Sequence, residues 1–297
     1  MRTFKIGLEW FMNPDHVPLL IGLERGWFRD EGLDVELVEP EAHQDAVAAL
    51  EAGDLDMAIT EPIHLVEDVA KERPVRGFAR FLHTNGGVMF LESSGIERPS
   101  DMAKARVQYP GAPGPGGLAI VRTMVEADGG RVDQLTPINH GFKHTDALIE
   151  GLADVATLAF YNFEVVEARH RGHPAQFFAL KDWGVPDFCH LIFIASPDRL
   201  QAEADDFRKF LRVVSRGLDV LHQDPKEARR IYFERTKTAI DDPLMNAIFD
   251  ATVPCFTFDM SMSAAYYDRL GAWMTRHTLA PILPSPSRCW TNELVWD

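Results

Sequence analysis

The sequence predicts an α/β protein in two lobes with a ligand cleft between them, and three observations carry that prediction. Over the first sixty residues, strand-like and helix-like segments alternate, the pattern of a parallel sheet covered on both faces. Two short apolar runs, Val88–Leu91 and Leu191–Ala195, bracket a middle segment with a strand–helix alternation of its own. The chain has 297 residues, 46% of them apolar, enough for about two domains with buried cores. The apolar runs are natural crossing points, so lobe one is expected over 1–90 plus 196–297 and lobe two over 91–195.

Phe4–Trp10 reads as the first strand. Pro14–Phe28 carries apolar residues at helical spacing, with Asn13 as a cap, Pro14 where a first turn tolerates it, and Gly26 and Gly32 bracketing the end. Leu33–Val38 alternates as a strand. Gln44–Ala52 is helical and stops at Gly53, and Leu55–Ile59 is a short apolar strand. Pro62–Ala70 then reads as a helix, Val75–Phe81 as a strand and Gly87–Leu91 as another apolar run. The middle segment offers a strand at Val107–Tyr109, a glycine-rich loop at Pro110–Gly117, a helix from Leu118 to Ala127, a strand at Ala153–Leu158 and a helix at Asn162–His170. Leu191–Ala195 is a buried strand. Beyond Pro197 the texture turns helical, over Asp205–His222, Pro225–Arg235, Pro243–Val253 and Ala264–His277, and this third is assigned to lobe one.

With 30 Lys and Arg against 45 Asp and Glu, the formal net charge is −15, which repels phosphate backbones and argues against nucleic acid as a partner. No run approaches the roughly 18 apolar residues of a membrane span. The N-terminus enters a strand at once, without a secretory leader, so the chain as written reads as cytoplasmic. A mature chain whose leader had been removed would read the same and would be periplasmic or otherwise extracytoplasmic. Cys189, Cys255 and Cys289 are odd in number, far apart and outside any CxxC, which argues against a disulfide scaffold or a zinc ribbon.

Open α/β sheets bind ligands at the carboxyl ends of their strands, and three loops there could carry chemistry. Trp10-Phe11-Met12-Asn13-Pro14-Asp15-His16 gathers an aromatic plane, an amide, a carboxylate and an imidazole, the groups a stack-and-hydrogen-bond site for a flat heterocycle needs. The plainer reading makes Asn13 or Asp15 a helix cap and Trp10 a core residue. In Pro110–Gly117, Gly114, Gly116 and Gly117 would let backbone N–H groups approach an anion at a helix start, although the stretch matches no phosphate-loop or GxGxxG pattern and also suits a tight turn. Phe160-Tyr161-Asn162-Phe163-Glu164 places a carboxylate in a first helical turn. There it can accept from an exocyclic amine and share a proton with a ring nitrogen, or simply complement the helix dipole. The pairs His140/His144 and His170/His173 lack a third ligand in register, so no metal is expected, and no GxSxG elbow occurs.

Leu8–His16, Glu24–Leu37 and Gly53–Ala58, with Asn162–Glu164, Gly172–Pro174, Gly184–Pro186 and Thr291–Leu294, resemble the thiamine-pyrimidine-synthase-like solute-binding family over nearly the whole chain. The resemblance implies a type II periplasmic-binding-protein fold and one of two activities. One branch comprises binding proteins of ABC importers for thiamine pyrimidine precursors. The other comprises cytosolic pyrimidine synthases, which hold pyridoxal phosphate on a lysine four residues before a histidine and carry a cysteine cluster for iron. His64 stands at that histidine, but Thr60 occupies the lysine position and Pro186–His190 retains Cys189 alone.

The importer branch fits better at Trp10, Asn13, Asp15 and Glu164, where related proteins stack on and hydrogen-bond an aminopyrimidine. The resemblance therefore implies a binding protein, with a permease as partner, no cofactor and no catalytic residue. Trp10, Asn13, Asp15, His16, His64, Gly114, Gly116, Gly117, Tyr161, Asn162 and Glu164 form the expected ligand set. The alternatives are a cytoplasmic pyrimidine-binding protein and a synthase-like enzyme acting on a pyrimidine.

Overall fold

The computed structural model describes residues 2–40, 45–109, 115–188, 190–280, 282 and 284–295. Ten strands are found among them: β1 (Arg2–Gly7), β2 (Leu33–Val38), β3 (Met57–Thr60), β4 (Arg76–His83), β5 (Gly86–Leu91), β6 (Arg106–Gln108), β7 (Thr136–Ile138), β8 (Val155–Phe160), β9 (Ala175–Ala179) and β10 (His190–Ala195). They form two five-stranded sheets, in the orders β2-β1-β3-β10-β4 and β7-β6-β8-β5-β9. Each sheet has a parallel trio, β2-β1-β3 or β7-β6-β8, followed by one antiparallel strand. None of the helices among the described residues is long and apolar enough to cross a membrane.

The chain divides into two units, the first Met1–His83, His190–Ala272 and Ala280–Asp297, the second Thr84–Cys189 and Trp273–Leu279. The two apolar runs therefore lie on the opposite sides from those expected: β5 belongs to the second sheet and β10 to the first. Each run is the antiparallel strand of the unit it enters, hydrogen-bonded to a strand on either edge, so the chain crosses before the run. The end of the last long helix also departs from the expected division, since Trp273–Leu279 belongs to the second unit. There the Trp273 indole donates to Thr123 Oγ1 at 3.0 Å.

Unit 1 is built around rings. Phe81 stacks on Phe193 at 4.5 Å, while Phe207 meets Phe4 and Phe78 edge-on at 5.3 and 5.1 Å. This aromatic packing ties the helix Ala204–Gln223 to the sheet, and no C-terminal segment forms a unit of its own. In unit 2 one core cluster is built from smaller side chains, with Met89, Ala147, Ala156, Ala159, Val165 and Ala168 packed together.

The expected helix Pro14–Phe28 is broken into a 3-10 turn Pro14–His16, a helix Val17–Glu24 and a short helix Trp27–Asp30. Gly26 makes the second break at φ +70°, a conformation that residues with a Cβ adopt only with strain. The expected helix over Gln44–Ala52 runs Ala46–Ala52, and Gln44 lies outside the described residues. Asn162 precedes its expected helix, which runs Glu164–His170.

Candidate functional site

The expected ligand residues fall into two sets, one in each unit, at the carboxyl ends of parallel strands. In unit 1 the loop after β1 carries the first set. Pro14 starts the 3-10 turn, and Asn13 caps it: Asn13 Oδ1 accepts the Asp15 N–H at 2.8 Å, and Asn13 Nδ2 donates to the Phe11 carbonyl at 3.0 Å. Asn13, Asp15 and His16 are all buried, and the Trp10 ring lies 4.4 Å from that of Phe11. The capping reading of Asn13 is therefore correct, and the same bonds hold its amide rigidly at the strand end.

His16 is held on both ring nitrogens. Nδ1 accepts the Asn13 N–H at 3.3 Å, and Nε2 stands 3.1 Å from Glu9 Oε2. Burial opposes a charged ring, but the carboxylates of Glu9 and Asp15 outweigh it and raise the His16 pKa above 6.5. A raised folded-state pKa stabilises the fold below pH 6.5, and this contribution is lost as pH rises through the folded-state value. His16→Gln is expected to destabilise the protein by about 1–3 kcal/mol at pH 6 and by less at pH 9. Urea unfolding at both pH values checks this, and a deficit that grows with pH contradicts it.

Thr60 is the last residue of β3, paired with Ile192 of β10. His64 follows in the helix Pro62–Ala70 and is half-buried. Sequence reasoning missed a third element at this edge. His83, which ends β4, and His190, which begins β10, lie opposite each other with ring centroids 4.0 Å apart, and Tyr266 stacks on His190 at 4.6 Å. The signal was hidden because the partners are far apart in sequence.

In unit 2 the second set follows β6 and β8. Gly114 lies outside the described residues. Gly116 and Gly117 open the helix Pro115–Ala127. A Cβ on Gly117 would come within 2.8 Å of the Tyr109 ring and 2.9 Å of Thr157 Oγ1, so this glycine lets the helix approach the sheet closely. Asn162 Oδ1 accepts the Thr84 hydroxyl, a partner the sequence did not reveal. Glu164 is only 4% exposed, and its Oε2 accepts the Phe160 N–H at 2.8 Å, locking the carboxylate to the end of β8. Tyr161 is exposed beside it, with the Arg169 guanidinium 5.6 Å from its ring centre.

Just before this loop, Leu158 adopts φ +56°, where the β5–β8 register slips between Gly87 and Val88. A bulge of this kind re-aims the residues after it, and a non-glycine residue held at positive φ is a strain often found at functional sites. Among the described residues no three His, Cys, Asp or Glu side chains are grouped so as to hold a metal ion.

Two α/β units of this topology, with polar side chains buried at their strand ends, define a protein of the periplasmic-binding-protein fold. The alkanesulfonate-binding protein SsuA of Xanthomonas axonopodis pv. citri, solved with MOPS bound, superposes with a TM-score of 0.73 over 97% of this chain and 95% of its own, at 14% identity. The chain belongs to the NMT1/THI5-like family, whose profile matches residues 13–228. A formylaminopyrimidine-binding protein of Halalkalibacterium halodurans is 28% identical over 78% of this chain and 70% of its own length. A 4-amino-5-hydroxymethyl-2-methylpyrimidine phosphate synthase of Legionella pneumophila is 27% identical over 98% of this chain and 91% of its own.

Proposed function

We propose that this chain binds a thiamine-related aminopyrimidine and serves as the solute-binding component of an ABC-type importer. The observation that carries the reading is the buried carboxylate of Glu164, fixed at the end of β8 next to Asn162. An aminopyrimidine offers an exocyclic amine next to a ring nitrogen, and a carboxyl group answers both, accepting from the first and sharing a proton with the second. Trp10 supplies the stacking plane, and the rigid Asn13 amide adds polar contact. Asp15, His16, His64, Tyr161 and Asn162 complete the set, and Gly116 and Gly117 serve a ligand with an anionic tail. Calorimetry against a panel of aminopyrimidines tests the reading, and no binding below about 1 mM would remove the ligand class.

Synthase chemistry is the second reading, favoured by the long match to a relative named as a synthase. The residues present do not fit pyridoxal phosphate held as an imine. Thr60, the last residue of β3, offers a hydroxyl where a primary amine is needed. Incubation of the chain with pyridoxal phosphate and iron(II) in air is expected to give no pyrimidine product by mass spectrometry. Detection of that product would establish the enzyme and overturn the importer reading.

A further inference from the structure

The loop after β1 is closed on itself by two side chains, Glu9 just past the strand and His16 at the end of the Pro14–His16 turn. Glu9 Oε2 lies 3.1 Å from His16 Nε2, which staples the ends of the loop together across Trp10, Phe11, Met12 and Asn13. The bonding fixes where the ring carries its proton. A backbone N–H can only donate, so the Asn13 N–H at 3.3 Å requires His16 Nδ1 to be a bare acceptor. A neutral imidazole then has its proton on Nε2, and that proton goes to the Glu9 carboxylate. With both ring nitrogens spent inside the loop, His16 serves the site by shaping the loop. What it holds is Asn13, whose carbonyl accepts the His16 N–H at 3.1 Å and whose side chain bonds Asp15 and Phe11.

Protonation breaks this pattern. An imidazolium carries a hydrogen on both nitrogens, so Nδ1–H would face the Asn13 N–H, two buried donors with no acceptor between them. Burial opposes that state, but the charges of Glu9 and Asp15 favour it and raise the His16 pKa above 6.5. Of the elements packed against the turn, the helix Val17–Glu24 carries one charged side chain, Glu24, bonded to Arg235 at 3.3 Å. The helix Pro243–Thr252 carries Asp250, bonded to Arg229, and is capped by Asp242. Glu39 accepts the Met12 N–H at 2.8 Å. Burial, with the charges of Asp15 and Glu39, keeps the nearby Tyr232 phenol neutral. The balance around the ring is therefore set by carboxylates, and Glu9 is the one bonded to it.

We propose that Glu9 is a positioning residue of this site: it fixes the His16 tautomer and, through it, the Asn13 backbone, so the loop is held while the ring is neutral and released when the ring is protonated. The effect on ligand rests on the aminopyrimidine reading; the effect on the loop rests on the hydrogen bonds alone, and the test reads the two separately. Nitrogen NMR of the histidine-labelled, ligand-free chain, with the His16 ring assigned by its loss in His16→Gln, is expected to place the proton on Nε2 at about pH 8. On acidification the Asn13 amide signal is expected to move together with the ring. Glu9→Gln keeps an oxygen for Nε2–H but removes the charge, so both transitions should move to lower pH. Calorimetry with 4-amino-5-hydroxymethyl-2-methylpyrimidine then compares the parent and Glu9→Gln at about pH 8 and about pH 5. Titration of the ligand and of Glu164 is common to both chains, so the difference between them isolates His16. The parent is expected to lose at least about fivefold more affinity on acidification than Glu9→Gln. A proton on Nδ1 at about pH 8, an Asn13 amide indifferent to the ring, or transitions that stay in place in Glu9→Gln each overturns the proposal. Equal losses of affinity in the two chains overturn it as well. If this pyrimidine does not bind the parent, the aminopyrimidine reading falls and the spectra of the free chain still decide the role of Glu9.

Discussion

Glu164→Ala is expected to lower aminopyrimidine affinity by roughly 5- to 150-fold, the equivalent of about 1–3 kcal/mol. The carboxylate is buried at the carboxyl end of β8 and already accepts the Phe160 N–H. Its removal therefore leaves two kinds of group unpaired, the ligand's amine and ring nitrogen and the protein's own N–H. The second loss is independent of ligand, so thermal unfolding of the free variant reports it separately. Glu164→Gln separates the two effects. Its amide oxygen can still accept from Phe160, so the free variant should keep its stability. It has no proton to share in the manner of a carboxyl group, so affinity should fall, though by less than in Glu164→Ala. Calorimetry and unfolding on both variants check this pattern. Tight binding that Glu164→Ala leaves unchanged refutes the assigned contact, and a loss of stability with no loss of affinity reduces Glu164 to a cap.

The main-chain alternation of unit 1 was legible because its punctuation is local. Asn13, Gly53 and Pro62 act at the ends of the very segments they delimit in the sequence. The missed strands lie where local signals fail. β7 contains Pro137, which argues against a strand in a central position. Here β7 is the outermost strand, paired only with β6, so the missing N–H costs no ladder bond on its open side. β9 lies at the other margin of that sheet, and only its pairing with β5 defines it. The candidate site was legible as three loops after strands, since parallel sheets present their loops in that way. Its hydrogen bonds were not, because their partners are set by the fold: Thr84 reaches Asn162 across 78 positions, and Glu9 reaches His16 from the preceding strand end. Nor does a leucine announce a positive φ, so the bulge at Leu158 had no sequence signature.

Gly217→Ala is expected to destabilise the protein by about 1–3 kcal/mol, and its value lies in the sign. Gly217 is inside the twenty-residue helix Ala204–Gln223. Intrinsic propensity alone would make the change stabilising by about 1 kcal/mol, since glycine is a poor helix former. A Cβ at this position would lie 2.4 Å from the Pro18 carbonyl oxygen and 3.0 Å from the Pro18 Cα. These are backbone atoms of the helix Val17–Glu24, and no rotamer change can move them aside. The opposing helix repeats the arrangement: a Cβ on Gly22 would meet Val213 and Phe28, each at 2.6 Å. Val213 and Gly217 are one turn apart on the same face, so the two helices cross through mutual glycines at a separation that methyl groups would prevent. The helix Val17–Glu24 continues directly from the Pro14–His16 turn, so forcing the crossing apart pushes on the loop that holds Asn13 and His16. Urea unfolding of Gly217→Ala, with an exposed Ala→Gly change elsewhere on the same helix as a propensity control, separates the two effects. A Gly217→Ala variant more stable than the parent would show that propensity outweighs the clash and that the helices can separate at little cost. A destabilised variant that also binds aminopyrimidine more weakly would tie the packing of this crossing to the placement of the loop.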